Sequence, residues 1–507
     1  MKVILDKGVP IDVLFIAEGT YPYVRGGVST WIHQLITGMP NVKFGVLFLG
    51  SREEDYEGIR YNLPENLVYL ETYYLFSKVE YPEPQEIEGS DEVEVLKTLF
   101  LEGVNPAEEL LSLSFYTEKV TLKDFLYGKK TFSFIQDLYE ELGVEVPFID
   151  FFWTVKNILT PLWIVVKAIE SVKLREIGLI HSPSTGYAGF LGAMLNKEKG
   201  IPLVISEHGL YTKERKIDIL NAPWIKQARR VIGPKYEIDE LKKFWIQFFI
   251  NIGKFSYLRA NMVYSLFEEA RKAQIELGCP PEKTGVIPNG VEISKLAPLR
   301  KERPPTVPQV IALIGRVTPI KDVKTFIKAM KILVEKIPYS EGWIVGPEDE
   351  DPLYAEECKM LVKALNLENR VKFLGFRKIT EILPKVGLVT LTSISEGMPM
   401  VVLEAFAAGV PCVTTDVGSC RQLIYGGLNE EDVKLGKAGE ITPVGMPREI
   451  AEVYYKLLTD EKLWRECQRT AIERVEKFYS FEKFINNYRN VYETFLGVKH
   501  GGDINRT

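Results

Sequence analysis

Val310-Ile311-Ala312-Leu313-Ile314 is followed at once by Gly315-Arg316, and a helical pattern begins at about Val323. Five apolar residues without a polar interruption describe a strand buried on both faces, as in a parallel sheet covered by helices. The same order stands near the start of the chain. There Val13-Leu14-Phe15-Ile16-Ala17 enters a glycine-bearing turn and then a helical pattern from about Val28. Further apolar runs repeat it at Gly178–His181 and Leu203–Ser206, and again at Gly342–Gly346, Val371–Leu374, Leu388–Leu391 and Val410–Thr414. Strands alternating with helices in two halves predict an α/β protein of two doubly wound, Rossmann-like domains.

The charged, proline-bearing segment Arg300-Lys301-Glu302-Arg303-Pro304-Pro305 reads as the linker. The first domain is therefore predicted over residues 1–300, interrupted by a mostly helical insertion over about 51–147, where acidic runs break the rhythm. The second is predicted over 306–478. A helix over 479–499 is expected to cross back to the first domain, and 500–507 to form a frayed polar tail.

A chain of 507 residues exceeds one ordinary core, in agreement with two domains. Its net charge of −6 shows no basic excess, which argues against nucleic acid as a partner. The five cysteines form no CxxC pair, so neither a disulfide framework nor a zinc site is expected, and a cytoplasmic location fits. Met1 to Asp12 holds no apolar stretch of signal-peptide length. The most membrane-like run, Phe151 to Ile169, is interrupted by Lys156, Asn157 and Lys167 and reads as a buried helix, with docking onto a membrane or partner, or a membrane span, as the alternatives. Lys243 to Ile250 reads as a buried amphipathic helix, with docking of the aromatic 243–257 region on a membrane complex as the alternative.

Four polar signals fall at the carboxyl ends of predicted strands, where open α/β sheets bind ligands. In Ser395-Glu396-Gly397-Met398-Pro399-Met400-Val401-Val402-Leu403-Glu404, the glycine and proline suit a loop entering a helix whose free amides make an anion site. Glu396 is placed on the loop and Glu404 on the helix, reaching different parts of one ligand. Arg316 and Lys321 offer a planar fork and a point charge, a pairing suited to a diphosphate. Gly26-Gly27 before a helix permits close approach of backbone to a ligand, without forming a dinucleotide fingerprint or a P-loop. Ser206-Glu207-His208-Gly209 ends another strand. Each signal alone also describes ordinary surface or core residues; their joint placement at strand ends, two in each half, points to one cleft between two domains.

These residues carry a resemblance. Gly26-Gly27-Val28, His208-Gly209, Ile287-Pro288-Asn289-Gly290-Val291, Gly315-Arg316 to Lys321, and Glu396 to Glu404 resemble the retaining nucleotide-sugar glycosyltransferases of GT-B type, family GT4. The likeness runs from about Ile11 to Phe495. Glu18 to Tyr23 with Arg25 to Ser29, together with Ser206 to Tyr211, look more narrowly like the cytosolic glycosyltransferases of Pel exopolysaccharide systems.

The resemblance implies residue roles. Arg316 and Lys321 would bind the donor diphosphate, Glu396 the transferred sugar and Glu404 the ribose. Gly397, Met398 and the amides of Met400 and Val401 would hold phosphate or sugar, and Phe373, Phe376 and Arg377 would lie beside the base. Gly26 and Gly27 would close over the donor phosphate, with His208 near the anomeric carbon. The donor, expected to be UDP-glucose, is a co-substrate, and no cofactor or metal is expected because two cations take a metal's place. The implied acceptor is a growing exopolysaccharide, and a membrane-bound polysaccharide synthase complex the implied partner. Two carboxylates also suggest a glycoside hydrolase, which would leave the Arg/Lys pair unexplained. The remaining alternatives are a sugar-nucleotide epimerase and a non-catalytic sugar-nucleotide sensor or scaffold.

Overall fold

A computed structural model describes residues 2–76, 83–143, 146–221 and 240–497. The chain divides into two compact units. One takes the residues up to Ser265, Arg271–Gly285 and those from Tyr488 onward; the other takes Leu266–Ala270 and Val286–Asn487.

In the first unit the strands are β1 (Lys2–Asp6), β2 (Ile11–Glu18), β3 (Phe44–Gly50), β4 (Leu67–Tyr74), β5 (Ile177–Ser182), β6 (Leu203–Glu207), β7 (Met262–Ser265) and β8 (Thr284–Val286). They lie in the order β1-β4-β3-β2-β5-β6-β7-β8. From β4 through β7 all pairings are parallel, while β1 runs antiparallel to β4 and forms an edge. The second unit contains β9 (Val310–Ile314), β10 (Glu341–Val345), β11 (Val371–Gly375), β12 (Leu388–Leu391), β13 (Cys412–Thr415) and β14 (Gly439–Thr442). Its order is β11-β10-β9-β12-β13-β14, parallel throughout. Val13 to Ala17 and Ile311 to Leu313 are almost wholly buried, which is why their sequences show no alternation.

Three expectations are corrected. The insertion starts later than residue 51, because β4 lies inside that range as a buried member of the sheet. Its sequence hides Glu71, which is fully buried yet accepts hydrogen bonds from the hydroxyls of Tyr69, Tyr73 and Ser171. Three donors make the burial of that carboxylate tolerable. The domain boundary falls near residue 286, ahead of the proline-bearing segment. Gly290 accounts for this: a Cβ there would meet the Ser480 carbonyl oxygen at 2.4 Å, so the Ile287–Val291 stretch lies tightly against the second unit's own chain. The sheet of the first unit is also not purely parallel, since β1 caps it from the other direction.

The helical part of the insertion includes Leu122–Tyr127 and Lys129–Leu142 and leads into the 25-residue helix Phe148–Val172. This last helix is long and apolar enough to cross a membrane, yet 61% of its apolar window is buried. Its Lys156 is enclosed too; the ammonium donates to the Phe125 and Leu126 carbonyls, and burial pulls its pKa down to about 7. The Lys243–Ile250 segment lies in the helix Glu240–Arg259, with Phe244, Ile246, Phe248 and Phe249 buried.

The last described helix, Phe481–Leu496, begins in the second unit and from Tyr488 onward belongs to the first. There Tyr492 and Ser206 hydroxyls flank the two ring nitrogens of the fully buried His181, at 2.8 Å each. The polar tail 500–507 lies outside the described residues.

Candidate active site

In each sheet the strand order reverses once at the centre, between β2 and β5 in the first unit and between β9 and β12 in the second. Loops leaving neighbouring strands at such a point diverge to opposite faces and open a crevice at the carboxyl end. The sequence-predicted polar residues fall on these loops.

In the second unit, Lys321 and Glu396 come together. The ammonium lies 2.5 Å from Glu396 Oε1, and the side chains are 18% and 10% exposed. Ser393 donates to the same carboxylate oxygen at 2.6 Å. The Met400–Ala407 helix follows directly and has no side-chain cap; the Val402 amide bonds the Pro399 carbonyl at 3.1 Å, and those of Met400 and Val401 remain available to an anion. Gly418 stands behind this loop with φ +54, and a Cβ there would collide with the carbonyls of Glu396 and Gly397 at 2.2 and 2.4 Å. A larger residue would displace the loop; glycine lets the Ser419 amide bond Gly397 oxygen at 2.9 Å.

Glu404 is on the helix, one turn beyond Met400. Burial raises its pKa, and no described side chain pairs with it. Arg316 follows β9 and is more open; its guanidinium meets both oxygens of Glu350 at 2.6 Å. Phe373 lies in the middle of β11 with the Lys359 ammonium over its ring, while Phe376 and Arg377 are exposed just beyond the strand. This group lies at the same carboxyl edge but two strands from the reversal.

In the first unit, Gly26 and Gly27 open the Gly27–Gly38 helix, and a Cβ on either would meet nothing within 4 Å. Internal packing does not require these glycines; they clear the space in front of a helix end. His208 follows β6 with Nε2 sealed from solvent and without a hydrogen-bond partner among the described residues, and the Trp31 ring stands edge-on at 4.6 Å. Burial drives the His208 pKa down to about 3, so the ring is neutral at physiological pH.

Several residues received no role from the sequence, although Glu18 and Glu207 stand in its motifs. Glu18 ends β2, its two oxygens taking hydrogen bonds from Tyr211 hydroxyl at 2.8 Å and the Ala188 amide at 3.1 Å. Glu207, 3% exposed, accepts from Thr185, Tyr257, Gln274 and the Tyr211 amide. Burial raises the pKa of both carboxyls. Thr392 and Ser393 support the Lys321–Glu396 pair. Their signal was present as polar residues closing apolar strands, but a hydroxyl or carboxylate at a strand end gives no indication of its partner.

A site with fixed cations, a free helix end and two carboxylates is equipped to bind a polyanion beside a polyol. The family model described as "Domain of unknown function (DUF3492)" matches residues 11–282, and that of "Glycosyl transferases group 1" matches residues 298–474. N-acetyl-alpha-D-glucosaminyl L-malate synthase of Bacillus anthracis is 34% identical over 28% of this chain and 36% of its own. UDP-Gal:alpha-D-GlcNAc-diphosphoundecaprenol alpha-1,3-galactosyltransferase of Escherichia coli is 27% identical over 51% of this chain and 63% of its own. The chain thus spans between about a third and two thirds of the length of these relatives. Among solved structures, Anabaena HepE in complex with UDP superposes with a TM-score of 0.57 at 17% identity, covering 95% of this chain and 99% of that one. The same protein was solved with UDP-glucose, with a TM-score of 0.53 and the same identity and coverage. At this identity the likeness establishes the fold, which is GT-B with two Rossmann-like domains.

Proposed function

Because this chain belongs to the DUF3492 family and carries a glycosyl transferases group 1 domain, we propose that it is a retaining, metal-independent glycosyltransferase. It moves a hexose from a nucleotide diphosphate sugar to a growing exopolysaccharide, with UDP-glucose the first donor to test. The observation that carries the reading is Lys321 and Glu396 paired beside an uncapped helix at the strand-order reversal. The donor choice is supported by the UDP-glucose complex of HepE, and the acceptor by the likeness of residues 18–29 and 206–211 to Pel-type enzymes. Retention of configuration is taken from the GT4 resemblance.

Departure of the nucleotide leaves negative charge on the diphosphate and positive charge on the sugar ring. Lys321, Arg316 and the first amides of the Met400–Ala407 helix stabilise the former, and act most strongly where water is excluded. To do so Lys321 exchanges Glu396 for phosphate, and Arg316 exchanges Glu350. Glu396 then accepts from hydroxyls of the sugar, and Glu404 from those of the ribose. His208, neutral at pH 7, contributes hydrogen bonding near the anomeric carbon without adding a charge. With two side-chain cations on the diphosphate, no metal ion is needed for its charge. The first unit takes the acceptor, and the five buried, unpaired cysteines suit a reducing cytoplasm, where a membrane-bound synthase complex would receive the product.

The test is incubation of the protein with UDP-, GDP- and ADP-sugars in EDTA, measuring nucleotide release. Release from one donor class is the expected result. Neither release nor binding of any nucleotide, with or without added metal, would overturn the assignment.

A further inference from the structure

We propose that Thr392 and Ser393 are a positioning pair that holds the cation and the carboxylate of the donor site independently, Thr392 acting on Lys321 and Ser393 on Glu396. This rests on the donor-site reading above. Both residues are fully buried at the end of β12, where the strand's own sequence would lead one to expect apolar side chains. Thr392 Oγ1 reaches back to the loop after β9, lying 3.0 Å from the Lys321 carbonyl and 2.9 Å from that of Asp322. It therefore fixes the backbone from which the lysine projects. Asp322 itself holds a left-handed φ of 44°, so this turn is one that needs holding.

Ser393 points its hydroxyl the other way, 2.6 Å from Glu396 Oε1. Its own carbonyl accepts the Thr415 hydroxyl of β13 at 2.6 Å, which anchors it to the next strand. Lys321 and Ser393 thus converge on one oxygen of Glu396, and no described residue donates to the other. The two donors are not equivalent. The lysine is a partly exposed cation that a diphosphate would recruit, whereas the serine is a fully buried group at the end of β12. Once phosphate takes Lys321, Ser393 alone keeps Oε1 in place and leaves Oε2 aimed for a sugar hydroxyl. A hydroxyl-to-carboxylate bond is charge-assisted and directional enough for this.

Two hydroxyls adjacent in sequence therefore govern two different steps, and the prediction is a separation of effects. In the full chain, Thr392→Val should weaken UDP binding about tenfold by calorimetry, with Thr392→Ser restoring it. Ser393→Ala should leave the UDP dissociation constant within about twofold of wild type while lowering kcat for UDP-glucose about 10- to 100-fold. Ser393→Thr should restore turnover. Parallel changes in UDP affinity and kcat in both variants, or a lowered melting temperature alone, would overturn the positioning pair while leaving the donor site standing. A wild-type protein that neither binds UDP nor turns over UDP-glucose would overturn the donor-site reading and the pair with it.

Discussion

Glu396→Gln separates binding of the nucleotide from transfer of the sugar, with effects of opposite sign. At an effective dielectric constant near 20, unit charges 2.5 Å apart attract by about 7 kcal/mol. Desolvation of side chains only 18% and 10% exposed takes back most of this, leaving about 1.5–3 kcal/mol for the charge-assisted bond. Lys321 surrenders that bond when it engages a diphosphate. Glutamine keeps the shape and a weaker acceptor, so the variant removes about 1–2 kcal/mol of competition, and UDP should bind about 5- to 30-fold more tightly. Sugar turnover should fall about 10²- to 10³-fold, because the carboxylate no longer contacts the hydroxyls as ring charge develops. Calorimetric titration with UDP and single-turnover release from UDP-glucose, on the same preparation, read the two effects. UDP affinity that weakens in step with turnover would show that Glu396 only supports Lys321, and unchanged turnover would remove it from the site.

Lys321→Ala should abolish turnover while far-UV circular dichroism stays that of the wild type; full activity in this variant would cancel the site assignment. Arg474 and Asp432 form an ion pair with both side chains 0% exposed, and the guanidinium also bonds the Leu423, Ile424 and Gly436 carbonyls. Arg474→Met strands that carboxylate, so a loss of about 3–5 kcal/mol and a melting transition lowered by about 10 °C are expected; a shift under about 2 °C contradicts this. His181 and His208 should remain neutral in imidazole NMR spectra down to pH 5, since burial holds each near a pKa of about 3. Below the ordinary value of 6.5 the unfolded chain takes up a proton that folded His181 refuses, so that histidine's contribution to stability falls as pH falls. The stability advantage of wild type over His181→Gln should narrow by about 2 kcal/mol between pH 7 and 5 in urea unfolding; a constant difference speaks against a neutral ring.

The sequence by itself determined the two doubly wound domains, with three of the eight described strands of the first and five of the six of the second. Val13–Ala17 and Ile311–Leu313 are buried on both faces, and an unbroken apolar run reports that state locally. It also placed Glu396 on a loop and Glu404 on a helix, because glycine and proline mark the entry to a helix within a few residues. Strand β4 escaped because Glu71 looks like surface in the sequence; the hydroxyls of Tyr69 and Tyr73 on the same strand, and that of Ser171 brought by the fold, make it core. Tertiary structure alone decided the partnerships. Lys321 and Glu396 are 75 residues apart, Ser206 and Tyr488 are 282 apart, and Arg474 meets Asp432 across 42. Local periodicity carries information over one or two turns, whereas these pairs depend on which strands and helices lie side by side. The reversal between β9 and β12 is a property of strand order, and it brings the lysine loop to the carboxylate loop.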